Sequence, residues 1–550
     1  MKVIIIGGVA GGMSAATRLR RNREDAEIVV LERGQNVSFA NCGLPYHIGG
    51  FIEDRESLLL NSPTSLAARF RLDVRVGAEV VGVHTAAKFV TVRDRATGVT
   101  TTESYDSLVI STGASALKPT FASDLPLRTL RDLDDLDAIM ADLPPVGEGG
   151  NALVVGAGFV GLEAVENLRE RGMTVTLVSR GPQVLSSFDP EMAVLVLEQL
   201  RASGATVHLD ATVDRIEGGA AHLSDGTAIP TSFVFAAVGV RPESALAVEA
   251  GIAVGPDGGI RVDEQQRTSA DGVFAVGDVA QKKGWVSSEE ATVPFAGLAN
   301  KEGRLAADVI AGIARPYRAA LGTAIVESCG IVAARTGRSE TELRAGGRAA
   351  RVIHTHPSNH ATYYPGATML SIKLLVDPED DSILGAQVVG HEGVDKRIDV
   401  IATAMAGGMT ASSLAELELA YAPQFGSAKD PVNMLGYIDG NMARGEDPTL
   451  QWHELDERLA EGWMLLDVRM PGQLKEGSIP GSLHVSLPEL RANLEQLRGR
   501  QVVVHCRVGQ NSHNAQRILL QNGIEAVNLD GGFLTWRDGM ATRVGSKIAG

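Results

Sequence analysis

Two cysteines in this 550-residue chain stand in settings where sulfur chemistry is possible. The first is Cys42, in the stretch Ser38-Phe39-Ala40-Asn41-Cys42-Gly43-Leu44-Pro45-Tyr46. A thiol attacks as its thiolate, and Pro45 suits the first turn of a helix, whose free N–H groups and dipole would lower the pKa of Cys42. A buried structural thiol is the alternative reading of the same residue. The second is Cys506, which follows the strand-like run Gln501-Val502-Val503-Val504-His505 and opens Cys506-Arg507-Val508-Gly509-Gln510-Asn511 ahead of a helix. A strand, a cysteine and a short loop leading into a helix give a cradle of backbone N–H groups around one sulfur, suited to a thiolate or persulfide anion.

The elements that must position Cys42 belong to a nucleotide-binding pattern. Residues 2–6 read as a strand, Gly7-Gly8-Val9-Ala10-Gly11-Gly12 as a turn, 13–21 as a helix and 27–31 as a second strand ending in Glu32-Arg33. Small residues let the backbone reach a pyrophosphate at the helix N-terminus, and a carboxylate about 20 residues on accepts hydrogen bonds from a ribose. Gly7 and Gly12 fill the outer positions of this fingerprint, and Val9 stands at the middle one. A cleaner copy follows: strand 152–155, Gly156-Ala157-Gly158-Phe159-Val160-Gly161, a helix to Arg171, and strand 174–178. Two copies imply two dinucleotides. Ser179 and Arg180 stand where an acid would select NAD, so they could receive the 2′-phosphate of NADP; a solvated surface arginine is the other reading. Further apolar runs end in Ser111-Thr112-Gly113-Ala114, in Ala236-Ala237-Val238-Gly239 and in Gly277-Asp278.

Composition narrows the class. The length predicts three or four domains, and 44% hydrophobic residues can fill several cores. A formal charge of −16 argues against non-specific nucleic-acid binding and against a polybasic membrane anchor. Three cysteines form no disulfide framework and have no metal-ligand spacing, so no metal is expected. The N-terminal apolar run 3–6 is too short for a signal-peptide core, and no run approaches the ~20 apolar residues of a membrane span. A cytoplasmic protein is expected.

Taken in order, the glycine turns, the strand ending in Gly277-Asp278 and the segment Val293-Pro294-Phe295-Ala296 resemble the pyridine nucleotide-disulfide oxidoreductase family, over residue 1 to about residue 437. The resemblance implies an α/β fold of the glutathione-reductase type, with two Rossmann-like dinucleotide-binding domains: an FAD domain at 1–115 and 255–321, and an NAD(P) domain at 116–254. It implies FAD contacts at Gly7, Gly12, Glu32, Arg33, Asn41, Val80, Thr112, Gly113, Gly277, Asp278, Pro294 and Ala296, with Asp278 on the ribityl chain and Val80 beside the adenine. NAD(P) contacts are implied at Gly156, Gly158, Gly161, Ser179, Arg180 and Gly239.

Dithiol members of that family carry Cys-x4-Cys, whereas the position five residues after Cys42 is His47. A single redox cysteine stores its oxidising equivalent as a sulfenate or as a mixed disulfide with a small thiol. The Cys42 stretch is similar to the coenzyme A disulfide reductase branch, including its persulfide-reducing members. That likeness implies coenzyme A as cofactor or substrate, with contacts at Ser14, Arg18, Arg21, Ser38, Asn41 and Asn300. Ser14, Arg18 and Arg21 fall on one helix face, which could grip phosphates or be an ordinary solvated face.

Alternating runs at 324–332, 348–354, 369–376 and 385–389, followed by a helix at 393–406, resemble the family's α+β dimerisation domain, placed at 322–440, and imply a homodimer. Cys329 reads as core in the first of those strands. Tyr364 and Tyr421, in segments matching those that cross into the partner's active site, are assigned to hydrogen bonding or protonating the departing sulfur, or else are interface aromatics. Gln424 replaces a proline usual in the second segment.

A polar linker is placed at 441–449. Residues 450–550 resemble a rhodanese-like α/β domain through Asp467-Val468-Arg469, Ile479-Pro480-Gly481, Cys506, Gly531-Gly532 and Trp536, with departures at Ser478 and Asn511. Cys506 would carry sulfur there, or the domain would only bind. The whole predicts an NAD(P)H- and FAD-dependent reductase of persulfide or polysulfide that releases sulfide. Reduction of coenzyme A disulfide and a sulfurtransferase centred on Cys506 are the alternatives.

Overall fold

The run Val3-Ile4-Ile5-Ile6 presents no polar side chain to water, and it forms the middle of a parallel sheet. The computed structural model describes residues 1–287, 289–313, 316–317 and 319–545; the end of the expected rhodanese-like domain, 546–550, lies outside them. Two compact units result, one of residues 1–177 and 213–322, the other of 178–212 and 323–550.

In the first unit the parallel sheet has the order Val273–Ala275, Ser107–Ile110, Lys2–Ile6, Glu27–Glu32, Asp73–Val76. Strands buried on both faces read as continuous apolar runs, because alternate side chains serve different cores. Val3 and Ile5 join the core under the helices Ala10–Asn22 and Ala296–Ile310, whereas Ile4 and Ile6 join the core with Val80, Val90 and Ile260. The two helices pack so closely that a Cβ on Gly303 would lie 2.1 Å from the carbonyl oxygen of Gly11. A second parallel sheet holds Leu127–Arg128, Phe233–Ala236 and Asn151–Val155, with the helix Phe159–Glu170 following its fingerprint turn.

The second unit contains an antiparallel sheet in the order Ala324–Ser328, Ile331–Gly337, Ile383–Gly390, Leu370–Val376, Arg351–Thr355. The apolar run 324–332 is therefore two strands: Cys329 sits at the hairpin turn with φ +54°, ahead of Gly330, and is half-buried instead of lying in a strand core. The last domain is a parallel sheet in the order Thr449–Leu450, Glu525–Leu529, Gln501–His505, Met464–Asp467, Leu483–His484.

The segment placed as a linker is exposed at 443–446 and anchored at its end. The helix Pro431–Ala443 runs into it, Asp447 is buried, and the Pro448 carbonyl accepts from Asn528 N–H at 2.9 Å and Gln516 Nε2 at 2.6 Å. The Asp447-Pro448 end finds partners in the next domain; the polar residues just before it are exposed.

Candidate functional site

A cavity of about 530 Å3 opens at the C-terminal ends of the first sheet's strands. Gly7, Glu32, Arg33, Asn41, Val80, Thr112, Gly113, Gly277, Asp278, Pro294 and Ala296 all line it. Gly12 does not; its place is behind the turn, where a Cβ would meet the Gly7 carbonyl oxygen at 1.9 Å. Gly7, at φ +100°, would bring a Cβ within 2.2 Å of Ser111 O. The glycines thus let the turn press against the strand ends, with the Gly7 N–H donating to Leu31 O at 2.9 Å.

Glu32 accepts backbone N–H bonds from Gly8 and Gly34, one on each carboxylate oxygen, both at 2.8 Å. That fixes an acceptor on the wall where a ribose would lie. Asp278 follows Gly277 on the same wall, and Arg131 donates to its Oδ2 at 3.1 Å. The donor set, the glycine turn and the cavity size fit a dinucleotide.

Cys42 is exposed into this same cavity. It lies in the one-turn 3-10 segment Asn41–Gly43, and the helix begins only at Leu44. The expected lowering of its pKa is reversed: burial pushes the Cys42 thiol up, the charges of Glu163 and Asp278 push it further, and Arg131 alone pulls it down. The surrounding protein mass and acids outweigh a helix that starts after the sulfur. Glu163, on Phe159–Glu170, is itself pushed up to about 7 by burial and by Glu166. Arg131 also holds Asn41, whose Nδ2 donates to its carbonyl oxygen.

Among the residues assigned to coenzyme A, Ser14 donates to Asn300 Oδ1, so two of them meet on the facing helices. Arg18 is spent differently, because its Nε donates to the buried Asp308, which also accepts from Asn22. Arg21 is exposed, with its guanidinium 5.5 Å from the centre of the Phe70 ring. Ser38 adopts φ +51° and its hydroxyl accepts from Asn61 Nδ2 at 3.1 Å.

In the second fingerprint, a Cβ on Gly156 would meet Ala237 O at 2.3 Å and one on Gly161 would meet Gly156 O at 2.0 Å, while Gly158 faces open space. Gly239, at φ +114°, accepts from Leu117 N–H through its carbonyl. Ser179 N–H donates to His208 O and its carbonyl accepts from Ala211, and Arg180 is exposed.

In the second unit Tyr421 meets Tyr363. The two hydroxyls lie 2.8 Å apart, and both rings are exposed; Tyr364 meets His360 edge-on. Neighbouring tyrosines in one segment give no sequence signal for which hydroxyl is presented. Cys506 is 2% exposed, with Ser512 Oγ 3.4 Å from its Sγ. Behind it, Arg469 and Asp467 form a fully buried ion pair at 2.7 Å, and burial pushes His505 down to about 4.

Sequence reasoning did not single out Arg131, Glu163, Lys282 or Glu302. All four are single charged residues in otherwise ordinary stretches: Arg131 lines the cavity, Glu163 acts on Cys42 through its charge, and Glu302 and Lys282 hold the backbone of Gly277 behind the cavity wall.

The sequence matches the pyridine nucleotide-disulphide oxidoreductase family over residues 1–297. The chain belongs to that family. Residues 324–431 match the family's dimerisation domain and 451–538 the rhodanese-like domain. A relative named coenzyme A disulfide reductase, from Staphylococcus aureus, is 34% identical over 437 residues, covering 79% of this chain and 99% of that protein. The structure of reduced CoADR-RHD from Bacillus anthracis is 41% identical, with a TM-score of 0.95 and 98% of each chain covered. The NAD-dependent persulfide reductase from A. fulgidus is 33% identical, with a TM-score of 0.89, covering 98% of this chain and 100% of that one. This family member is an FAD-dependent oxidoreductase that uses NAD(P)H. Among the described residues no helix is long and apolar enough to cross a membrane.

Proposed function

We propose that this flavoenzyme reduces the sulfur–sulfur bond of a persulfide or polysulfide, linked to or assisted by coenzyme A, through Cys42. The observation that carries the reading is that Cys42 opens into the same cavity as Glu32 and Asp278. It has no second cysteine beside it, His47 standing where the dithiol pattern needs one. The Cys42 thiolate attacks the outer bond of the substrate, forming a mixed disulfide and expelling the other sulfur as a thiolate or as sulfide. When bound, FAD supplies the one piece of chemistry the side chains lack, carrying two electrons from NAD(P)H to the disulfide at Cys42. In sum, a persulfide RSSH, NAD(P)H and one proton give the thiol RSH, hydrogen sulfide and NAD(P)⁺.

Arg131 is the cation that favours the attacking thiolate against burial, Glu163 and Asp278. Tyr363 and Tyr421, through the dimerisation domain of a homodimer, would protonate the departing sulfur. Ser14, Ser38, Asn41 and Asn300, with Arg21, would hold coenzyme A, and Ser179 with Arg180 would meet the adenosine end of NADP. Cys506 would deliver sulfane sulfur as its persulfide, in a cytoplasmic, reducing setting.

A second reading, reduction of coenzyme A disulfide to two thiols by the same Cys42, is favoured by the name of the S. aureus relative. Anaerobic NADH and NADPH oxidation with coenzyme A persulfide, polysulfide and coenzyme A disulfide, with sulfide assayed, separates the two. Faster turnover on persulfide or polysulfide with stoichiometric sulfide is expected. Faster turnover on the disulfide without sulfide would replace the first reading by the second. Cys42→Ser should abolish all three activities, and loss in Cys506→Ser alone would move the chemistry to the rhodanese-like domain.

A further inference from the structure

We propose that His354, on the dimerisation sheet, is a positioning residue for the Cys506 loop, acting through Asp530 and the Gly531-Gly532 bend. Its activity arm rests on the reading of Cys506 as a sulfur carrier; the geometry does not.

The chain of contacts runs inside the second unit. His354 lies on the edge strand Arg351–Thr355, almost fully buried. Its backbone N–H donates to Asp530 Oδ2 at 2.9 Å and its Nδ1 lies 2.7 Å from the same oxygen. Its Nε2 lies 3.1 Å from Glu191 Oε1. Gln451 Nε2 adds a bond to Asp530 Oδ2 at 3.2 Å and another to the Val352 carbonyl. Asp530 is thus held by donors from the dimerisation sheet as well as from its own domain.

Gly531 and Gly532 follow directly, at φ +66° and +64°. A Cβ on Gly531 would lie 2.8 Å from His354 Cβ, and one on Gly532 would lie 2.7 Å from Cys506 O and 2.9 Å from Gly509 N. The bend is therefore pressed between the dimerisation sheet and the Cys506 loop, which only glycine permits. Immediately afterwards Phe533 N–H donates to Cys506 O at 2.8 Å and Leu534 N–H to Arg507 O at 3.1 Å. Thr535 closes the contact, its Oγ1 2.7 Å from His356 Nε2. A displacement at Asp530 would reach the peptide groups of Cys506 and Arg507 with no slack residue between.

The charges that face His354 are Asp530 and Glu191, which favour its protonated form, and Lys373, which opposes it. With two carboxylates about its ring, the imidazolium donates from both nitrogens.

The test uses the full-length chain with Cys42→Ser and Cys329→Ser, leaving Cys506 as the one thiol. Cys506 alkylation by iodoacetamide and amide exchange at Phe533 and Leu534 are compared for this parent and for His354→Leu and His354→Gln. His354→Leu should speed alkylation and exchange by about tenfold, and His354→Gln, which keeps a side-chain donor, should restore most of the protection. Unchanged alkylation and exchange in His354→Leu would overturn the proposal. If His354→Leu does not fold, Asp530→Asn, which keeps an acceptor for the His354 N–H, should shift both readouts in the same direction, and its failure to do so overturns the proposal equally. Sulfur transfer from polysulfide to cyanide should fall in parallel. A parent that transfers no sulfur while exchange and alkylation still shift would leave the positioning role standing and remove the carrier reading instead. In the Cys42-intact chain, His354→Leu should leave NADH-dependent dye reduction within twofold.

Discussion

Lys282 and Glu302 grip Gly277 from opposite sides. The Gly277 N–H donates to Glu302 Oε2 at 2.8 Å, and its carbonyl accepts from Lys282 Nζ at 2.8 Å. Both side chains are buried, Lys282 also reaching the Ala280 carbonyl at 2.9 Å and Glu302 Oε1 at 3.5 Å. The residue they hold precedes Asp278 and sits at φ +80°, so the pair sets how Asp278 enters the cavity wall.

The first prediction follows from this clamp. Glu302→Ala leaves a buried N–H without its acceptor, a cost of about 1–3 kcal/mol, and FAD affinity should weaken roughly 10- to 100-fold. Glu302→Gln keeps an acceptor oxygen and should bind FAD as the parent does. Burial raises the Glu302 carboxyl to about 7, with Lys282 opposing. A raised carboxyl favours folding in its neutral form, so this contribution is full below the ordinary carboxylate range and is lost as pH rises through about 7. Titration of apoprotein with FAD checks the affinities, and urea midpoints of wild type against Glu302→Gln from about pH 4.5 to about pH 7 check the pH dependence. Equal affinity for the Ala and Gln variants would sink the role.

The parts of this site legible in the sequence are those where one residue type is forced. Gly7, Gly156 and Gly161 announce themselves because a Cβ would collide with backbone, and Glu32 because it ends a strand at a fixed distance from the turn. Periodicity reveals the buried strands for the same reason. Arg131 and Glu163 are not legible, since a lone charge carries no pattern and each reaches Cys42 only through the fold. The direction of the Cys42 pKa shift is hidden on this account: the helix after it is visible in the sequence, the acids facing it are not. Cys329-Gly330 is a turn signal buried inside an apolar run.

Tyr363 and Tyr421 should matter to turnover and Tyr364 should not, because only the first two share a hydroxyl–hydroxyl contact. That bond raises the pKa of Tyr363 from a value that already leaves it protonated at neutral pH. Loss of a general acid typically costs about 100-fold or more, so Tyr363→Phe and Tyr421→Phe should each lower kcat on that scale, with Tyr364→Phe within about threefold. Steady-state rates on a persulfide substrate decide it; losses in Tyr364→Phe and Tyr421→Phe with Tyr363→Phe unchanged would return the role to Tyr364.

Arg21 should contribute more to coenzyme A recognition than Arg18. The Arg18 Nε is committed to Asp308, while Arg21 is exposed over Phe70. Exposed charges are screened within about 10 Å at 0.1 M salt, so Arg21→Ala should raise KM for a coenzyme A-linked substrate most at low salt, with kcat held. Arg18→Ala should mainly lower thermal stability by unpairing buried Asp308. A salt-independent KM in both variants would place the phosphates elsewhere.

Lys373 sits where three carboxylates converge. Its Nζ lies 3.0 Å from Asp189 Oδ2, 2.5 Å from Glu191 Oε1 and 2.6 Å from Glu340 Oε2, with Lys373 wholly buried. Those acids alone would read as a cation site, and the ammonium fills it. Lys373→Met would leave the carboxylates facing one another, and removing one member of a buried ionic group costs about 3–5 kcal/mol. The urea midpoint of the dimerisation and rhodanese-like domains should fall accordingly at pH 7, and partly recover at pH 5, where the unpaired acids take up protons. His354 adds a second dependence, at higher pH. Its two carboxylate partners raise it to about 9 against burial, so the stability it contributes is full below its ordinary pKa near 6.5 and is lost as pH rises through about 9. Wild type should therefore lose midpoint relative to His354→Gln as pH rises from about 6.5 to about 9. Parallel curves for the two would mean that His354 is neutral in the folded protein and that Glu191 depends on Lys373 alone.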